Sequence, residues 1–190
     1  MSINPIKLVG NWVEGYALDK HVVISEYIGE DAFGHKQFKN TYTEIGLLLY
    51  KMKYNGHYDT SEEILELAIP FLNEWLQDKH VDIILPVPPT KRRDVQPVYV
   101  IAETIAKHYN ISYSEEVIIK ATVEQAKDMQ KGKKSLEGTI KLLKKPKRKC
   151  DILLIDDLFS TGSTISECVR ILKTNELVDN IYILTITKTG

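Results

Sequence analysis

Residues 152–164 read Ile-Leu-Leu-Ile-Asp-Asp-Leu-Phe-Ser-Thr-Gly-Ser-Thr, and this run decides the fold. Four apolar residues, Ile152 to Ile155, have the length and character of a buried strand. Asp156-Asp157 and Leu158-Phe159 follow, and Ser160-Thr161-Gly162-Ser163-Thr164 then leads into a helix expected over 163–174. Gly162 lets the backbone turn tightly and approach a ligand. Amides at a helix start point at any bound anion, and the helix dipole favours negative charge there. With the hydroxyls of Ser160, Thr161, Ser163 and Thr164 beside them, these amides make a pocket for a phosphate monoester. Carboxylates repel phosphate, so Asp156 and Asp157 need a different partner. Hydroxyl donors suit them, and ribose 5-phosphate satisfies both halves of the run. The competing assignment makes either aspartate a helix cap and the Ser/Thr run a polar loop. The fixed order of strand, paired aspartates and STGST favours the ligand.

Outward from this run, strands alternate with helices. Val81 to Val87 is a short apolar run bounded by prolines and reads as a buried strand; Val98, Ile101, Ala102 and Ile105 mark a helix after it. Glu116 to Lys120 and Ile181 to Thr187 are further strands. Alternation of this kind indicates an α/β fold with a mainly parallel central sheet flanked by helices. Ligands of such sheets bind at the carboxyl ends of the strands. Upstream, Trp12 to Leu18 and His21 to Tyr27 read as a hairpin turning at Asp19-Lys20, followed by a polar stretch from Gly29 to Asn40. Thr43 to Lys53 is helical, as is the segment capped by Thr60 or Ser61, which Pro70 is expected to kink or interrupt. Residues 1–60 are therefore read as a small hairpin-and-helix hood, part of the same domain as the α/β core at 61–190.

The second strand end with unusual chemistry is Pro86 to Arg93. Prolines stiffen it and remove amide donors. Thr90, Lys91, Arg92 and Arg93 restore donors and positive charge, and guanidinium groups grip phosphate in a forked geometry. These four are the candidate ligands of a diphosphate; the competing assignment is an exposed basic turn. Between two of the expected strands lies a long polar stretch that carries Lys127, Lys133 and Lys134, and loops of that length are uncommon unless functional or disordered.

Composition narrows the class. The chain has 190 residues, 43% hydrophobic and 27% charged, with a formal net charge of -1. That balance gives no global pull toward nucleic acid, although basic residues crowd 127–149. Nothing approaches the ~18 uninterrupted apolar residues of a membrane span, and MSINPIKLVGNW lacks the apolar core of a signal peptide. Cys150 and Cys168 are too few for a disulfide framework or a four-cysteine zinc site. A reducing cytoplasm is the expected compartment. The five histidines show no ligand-like spacing.

The run at 152–164 resembles the phosphoribosyl-pyrophosphate motif of type I phosphoribosyltransferases. Three wider segments resemble the ComF-like branch: DIILPVPPTKRRD at 82–94, TVEQAKDMQKGKKSLEG at 122–138 and TEIGLLLYKMKYNG at 43–56. The last matches a helix ending in a Lys-Tyr or Lys-Phe pattern. The resemblance spans about residues 43–187. It departs from that branch in lacking an N-terminal four-cysteine zinc module, in Arg93-Asp94-Val95-Gln96 and in Lys134-Ser135.

The resemblance implies a type I phosphoribosyltransferase-like fold. It also implies a magnesium-dependent transferase that moves the phosphoribosyl group of 5-phosphoribosyl-1-pyrophosphate (PRPP) to a nitrogenous base or amine and releases pyrophosphate. Asp156, Asp157 and Lys134 become the candidate catalytic residues, Lys134 from a lid over the sugar. Asp156, Asp157 and Ser160 to Thr164 become the PRPP site. Magnesium is expected to be held through the diphosphate, with Asp156 and Asp157 as its candidate protein ligands. A homodimer is a candidate assembly. The rival function is a non-catalytic sensor of PRPP or nucleotides, or a ComF-like accessory factor in DNA uptake.

Overall fold

The computed structural model describes residues 3–91, 93–120 and 139–190. Its centre is a six-stranded sheet in the order β1-β2-β10-β9-β5-β6. The strands are β1 (Ile6–Lys7), β2 (Glu14–Lys20), β5 (Ile83–Pro86), β6 (Ser112–Tyr113), β9 (Cys150–Phe159) and β10 (Val178–Lys188). All neighbours pair in parallel except β1, which runs antiparallel along the outer edge of β2. Leu153, Leu154 and Ile155 are fully buried, as are Ile183 and Leu184 beside them, because layers cover both faces of the sheet.

Helices α1 (Glu44–Asn55), α2 (Thr60–Leu76) and α3 (Pro97–Tyr109) cover one face. Leu49, Met52, Ile64, Leu72, Ile101 and Ile105 pack there on Leu153, Ile155 and Leu184. Helix α4 (Ser163–Leu172) covers the other face, where Ile165, Cys168 and Leu172 meet Ile152, Leu154 and Ile183. Each large apolar side chain buried this way stabilises the fold by ~1.5–3 kcal/mol. Among the described residues no helix is long and apolar enough to cross a membrane.

Four local readings of the sequence are corrected. Residues 12–27 do not form a hairpin turning at Asp19-Lys20. β2 instead enters the central sheet beside β10, with Tyr16 opposite Leu184. Its partner in the expected hairpin, β3 (Val22–Glu30), pairs antiparallel with β4 (Lys36–Tyr42) in a separate two-stranded sheet, so part of the supposed polar loop at 29–40 is strand. The reason lies in burial: Ala17 and Leu18, on opposite faces of β2, are both covered, which suits an interior strand and not a half-exposed hairpin.

Pro70 does not interrupt α2, which runs unbroken from Thr60 to Leu76. It sits on the exposed side with Glu66, whose carbonyl loses its helical partner on a face open to solvent. The strand near 116–120 is β7 (Ile118–Lys120), and it lies outside the parallel sheet, paired antiparallel with β8 (Ile140–Leu142). Finally, β9 does not stop at Ile155. It continues through Asp156 and Asp157 to Phe159, because β10 keeps pairing with it as far as Lys188.

Candidate functional site at the sheet switch point

From β5 the chain crosses by α3 to β6 on one side; from β9 it crosses by α4, on the opposite face, to β10 on the other side. The connections therefore diverge between β5 and β9, which leaves a crevice at their carboxyl ends. Pro86 stands opposite Ile155 in the register, and the Val87 amide donates to the Ile155 carbonyl at 2.8 Å. The loop after β5 thus starts level with Asp156. A cavity of about 370 Å³ opens here, lined by Asp156, Asp157 and Thr164 on one side and by Val87 to Lys91, Arg93 and Gln96 on another.

Successive residues of a strand face opposite sides, so the two aspartates have different surroundings. Asp157 faces α1, where its Oδ2 lies 2.8 Å from Lys53 Nζ. Asp156 faces α4. Its carboxyl is pushed up to about 8, first by burial and then by the Asp157 charge, against the opposing effects of the Asp157 amide and Lys53. That amide donates to Asp156 Oδ1 at 2.8 Å. Neither aspartate caps α4, whose N-cap is Gly162 and has no side-chain cap bond.

A second hollow of about 80 Å³ adjoins the first and shares Asp156, Leu158 and Thr164 with it. The turn from Ser160 to Ser163 and the start of α4 form its walls. Gly162 sits in the left-handed region at φ 72°, and a Cβ there would meet Phe159 Cζ at 2.7 Å. Thr161 Oγ1 and Ser163 Oγ lie 2.7 Å apart, drawing two hydroxyls together above the helix start. The geometry offers an anion the amides of a helix end and a cluster of hydroxyls.

On the β5 side, the Gln96 side-chain amide donates to the carbonyls of Lys91 and Arg93, at 3.2 and 3.3 Å, and closes the loop on itself. Lys120 Nζ donates to Thr90 Oγ1 at 3.0 Å. Lys91 and Arg93 line the cavity, so cationic groups face the two carboxylates across it.

The structure therefore brings together Asp156, Asp157, Thr164, Thr90, Lys91 and Arg93 in one cavity, with Ser160 to Ser163 in the adjoining hollow. Arg92 and Lys134, and with them Lys127 and Lys133, lie outside the described residues. Reasoning from sequence gave no role to Lys53, Tyr54, Lys120 or Gln96. For the first two a signal existed in the Lys-Tyr ending of α1, which had been matched only as a pattern. His21, one of the five histidines without ligand-like spacing, is partly buried beside the end of β9. Its Nδ1 lies 3.2 Å from Thr187 Oγ1, which itself lies 3.3 Å from the Asp157 carbonyl. Burial, then the Lys53 charge, holds the His21 imidazole below its ordinary range, against a smaller opposing effect of Asp157.

A mainly parallel sheet, helices on both faces and a crevice at the switch point define an α/β fold that solved structures share. The adenine phosphoribosyltransferase of Leishmania donovani matches over 97% of this chain and 75% of that one, at 12% identity and a TM-score of 0.50. The orotate phosphoribosyltransferase of Aeropyrum pernix matches over 90% of this chain and 77% of that one, at 14% identity and a TM-score of 0.48. The fold of this chain is that of the type I phosphoribosyltransferases. No family model matches the sequence, and no curated protein matches it.

Proposed function

We propose that the chain is a phosphoribosyltransferase of the ComF-like kind. It binds PRPP with magnesium and transfers the phosphoribosyl group to a nitrogenous acceptor, releasing pyrophosphate. One observation carries this reading: two strand-end aspartates stand between a hydroxyl-rich helix start and a cationic loop, in two adjoining hollows that share Asp156, Leu158 and Thr164. The hollow of Ser160 to Thr164 takes the 5-phosphate. Asp156 and Asp157 take the sugar hydroxyls, and Thr90, Lys91, Arg92 and Arg93 take the diphosphate. Of residues 1–60, the last turn of α1 acts as the hood, through Lys53 and Tyr54, while β1 and β2 belong to the central sheet.

The donor set fits magnesium. Among the described residues no three His, Cys, Asp or Glu side chains cluster as a protein cage. The Asp157 carboxylate and, once the ion displaces its proton, that of Asp156 would complete with a substrate diphosphate the hard oxygen set that this ion prefers. Asp156 and Asp157 would hold it, and it would supply charge neutralisation at the diphosphate. The chain's own part is to orient the sugar, and to meet the charge that grows on the departing diphosphate with Lys91 and Arg93. The acceptor nitrogen forms its bond to the anomeric carbon as the bond to the diphosphate breaks.

The test is calorimetry with PRPP, with and without magnesium, followed by a pyrophosphate-release assay over purine, pyrimidine and pyridine acceptors. Magnesium-dependent binding with release supports the transferase. Binding without release by any acceptor supports the sensor. Absence of binding overturns both.

A further inference from the structure

We infer that Thr185 is a positioning residue of the site, whose hydroxyl donates to the Asp156 carboxylate and fixes it for PRPP and magnesium. The inference rests on the phosphoribosyl reading above. Thr185 lies on β10 and is fully buried. Among the described residues its Oγ1 is the one buried side-chain polar atom without a hydrogen-bond partner. Leaving a buried hydroxyl unpaired is costly, and valine fills nearly the same space without that cost. An orphaned group of this kind calls for a reason.

The sheet supplies one. Thr185 stands opposite Asp156 in the parallel register of β10 and β9, as Ile183 stands opposite Leu154 two residues earlier. Ile183 and Leu154 both pack under α4, so by strand alternation Thr185 and Asp156 face that side too. Neighbouring strands run ~4.8 Å apart, which puts the two side chains within reach of each other. On its other flank Thr185 stands opposite Ala17, whose methyl offers no acceptor. Thr187, the next threonine on the same face, differs: its hydroxyl is met by His21 Nδ1 and the Asp157 carbonyl. Asp156 has the complementary need. The Asp157 amide donates to its Oδ1, and among the described residues no donor reaches Oδ2. A carboxylate has about four acceptor sites, so it can keep the amide, take the Thr185 hydroxyl and still face a ligand. The structure holds hydroxyl and carboxyl side by side without a bond between them. The bond forms as the carboxylate takes its ligands, and it therefore strengthens binding and not the free fold.

The test measures PRPP dissociation constants with and without magnesium for the wild type, Thr185→Val and Thr185→Ser, together with thermal unfolding of all three without ligand. Magnesium should tighten PRPP binding by the wild type. Thr185→Val should cut that gain ~10-fold, the low end of what one hydrogen bond to a charged group contributes, yet unfold no earlier than the wild type. Thr185→Ser, which keeps the hydroxyl and loses only a methyl group, should keep the gain. A gain that survives Thr185→Val overturns the inference, and so does a gain lost equally in Thr185→Ser, which would make shape responsible. Thr185→Val unfolding earlier than Thr185→Ser also overturns it, because the hydroxyl would then be holding the free fold together. A wild type whose PRPP affinity ignores magnesium overturns it as well. A wild type that does not bind PRPP at all overturns the phosphoribosyl reading itself, and this inference with it.

Discussion

Lys53 Nζ, on the last turn of α1, lies 2.8 Å from Asp157 Oδ2 at the end of β9, with the two side chains 11% and 20% exposed. A pair this sheltered differs from a surface ion pair, whose typical contribution is ~0–1 kcal/mol. Removing one partner leaves a partly desolvated charge alone. Lys53→Met should therefore destabilise the fold by ~1–3 kcal/mol. The Lys53→Met/Asp157→Asn double variant should lose less than the sum of the single losses. Urea unfolding of all four proteins checks this, and strict additivity would mean that the pair holds nothing together.

The Asp156 carboxyl binds its proton more tightly in the folded chain than in the unfolded one, since burial and the Asp157 charge raise it from 3.8 to about 8. Its contribution to stability therefore falls as pH rises from about 4 toward about 8 and is level above that. Asp156→Asn removes the penalty while its amide oxygen still accepts from the Asp157 amide. The variant should match the wild type near the acid end of this window. Above its alkaline end it should be more stable by ~1 kcal/mol, the equivalent of about one pKa unit after allowance for solvent in the cavity. Unfolding curves across that range, taken as differences from the wild type, decide it; a constant difference would sever Asp156 from the effect.

The cradle at the start of α4 should respond to loss of its hydroxyls. Thr161→Ala with Thr164→Ala is expected to weaken ribose 5-phosphate binding, because each lost hydrogen bond to a charged group is worth ~1.5–3 kcal/mol. Thr161 is exposed and Thr164 only partly buried, so the fold should survive. Titration calorimetry paired with circular dichroism makes the measurement. Unchanged affinity in a folded variant would remove the phosphate from this hollow.

Gly162→Ala places a side chain at φ 72° and sets a Cβ 2.7 Å from Phe159 Cζ. The expected cost is ~1–2 kcal/mol for the left-handed backbone, and displacement of Phe159 adds to it. Affinity for ribose 5-phosphate should fall along with stability, since the turn that aims the amides must shift. Thermal unfolding and calorimetry on the same preparation test both. Full affinity would show that the turn tolerates the shift.

The sequence made the centre of this fold readable and left its periphery dark, for physical reasons. Ile152 to Thr164 announces strand, turn and helix because apolar residues, a glycine and hydroxyls each act on their immediate neighbours. The place of Thr90, Lys91 and Arg93 beside the cavity was legible because they follow a buried strand at its carboxyl end. The role of Lys53 was not legible, since its partner Asp157 is remote in sequence and only the packing of α1 on the sheet brings the two together. The hairpin expected between β2 and β3 was a misreading for a related reason. A turn signal at Asp19-Lys20 acts locally, but β2 found a better partner in β10, at the far end of the chain. Gln96 looked like a departure from a pattern, whereas the structure gives it the carbonyls of Lys91 and Arg93.

The two aspartates are neighbours in sequence yet answer to opposite sides of the sheet, so the arrangement depends on parity. One extra residue between Ile155 and Asp156 would send every side chain after it to the other face. Asp156 would then meet Lys53, and Asp157 would turn toward α4, with no change in net charge if the inserted residue is neutral. Two extra residues would restore the sidedness but carry the pair ~6–7 Å along the strand, beyond the level of the Val87 amide. Insertions here should thus alternate between a reversed site and a displaced one, and a working version of this segment should tolerate substitution far better than any change of length.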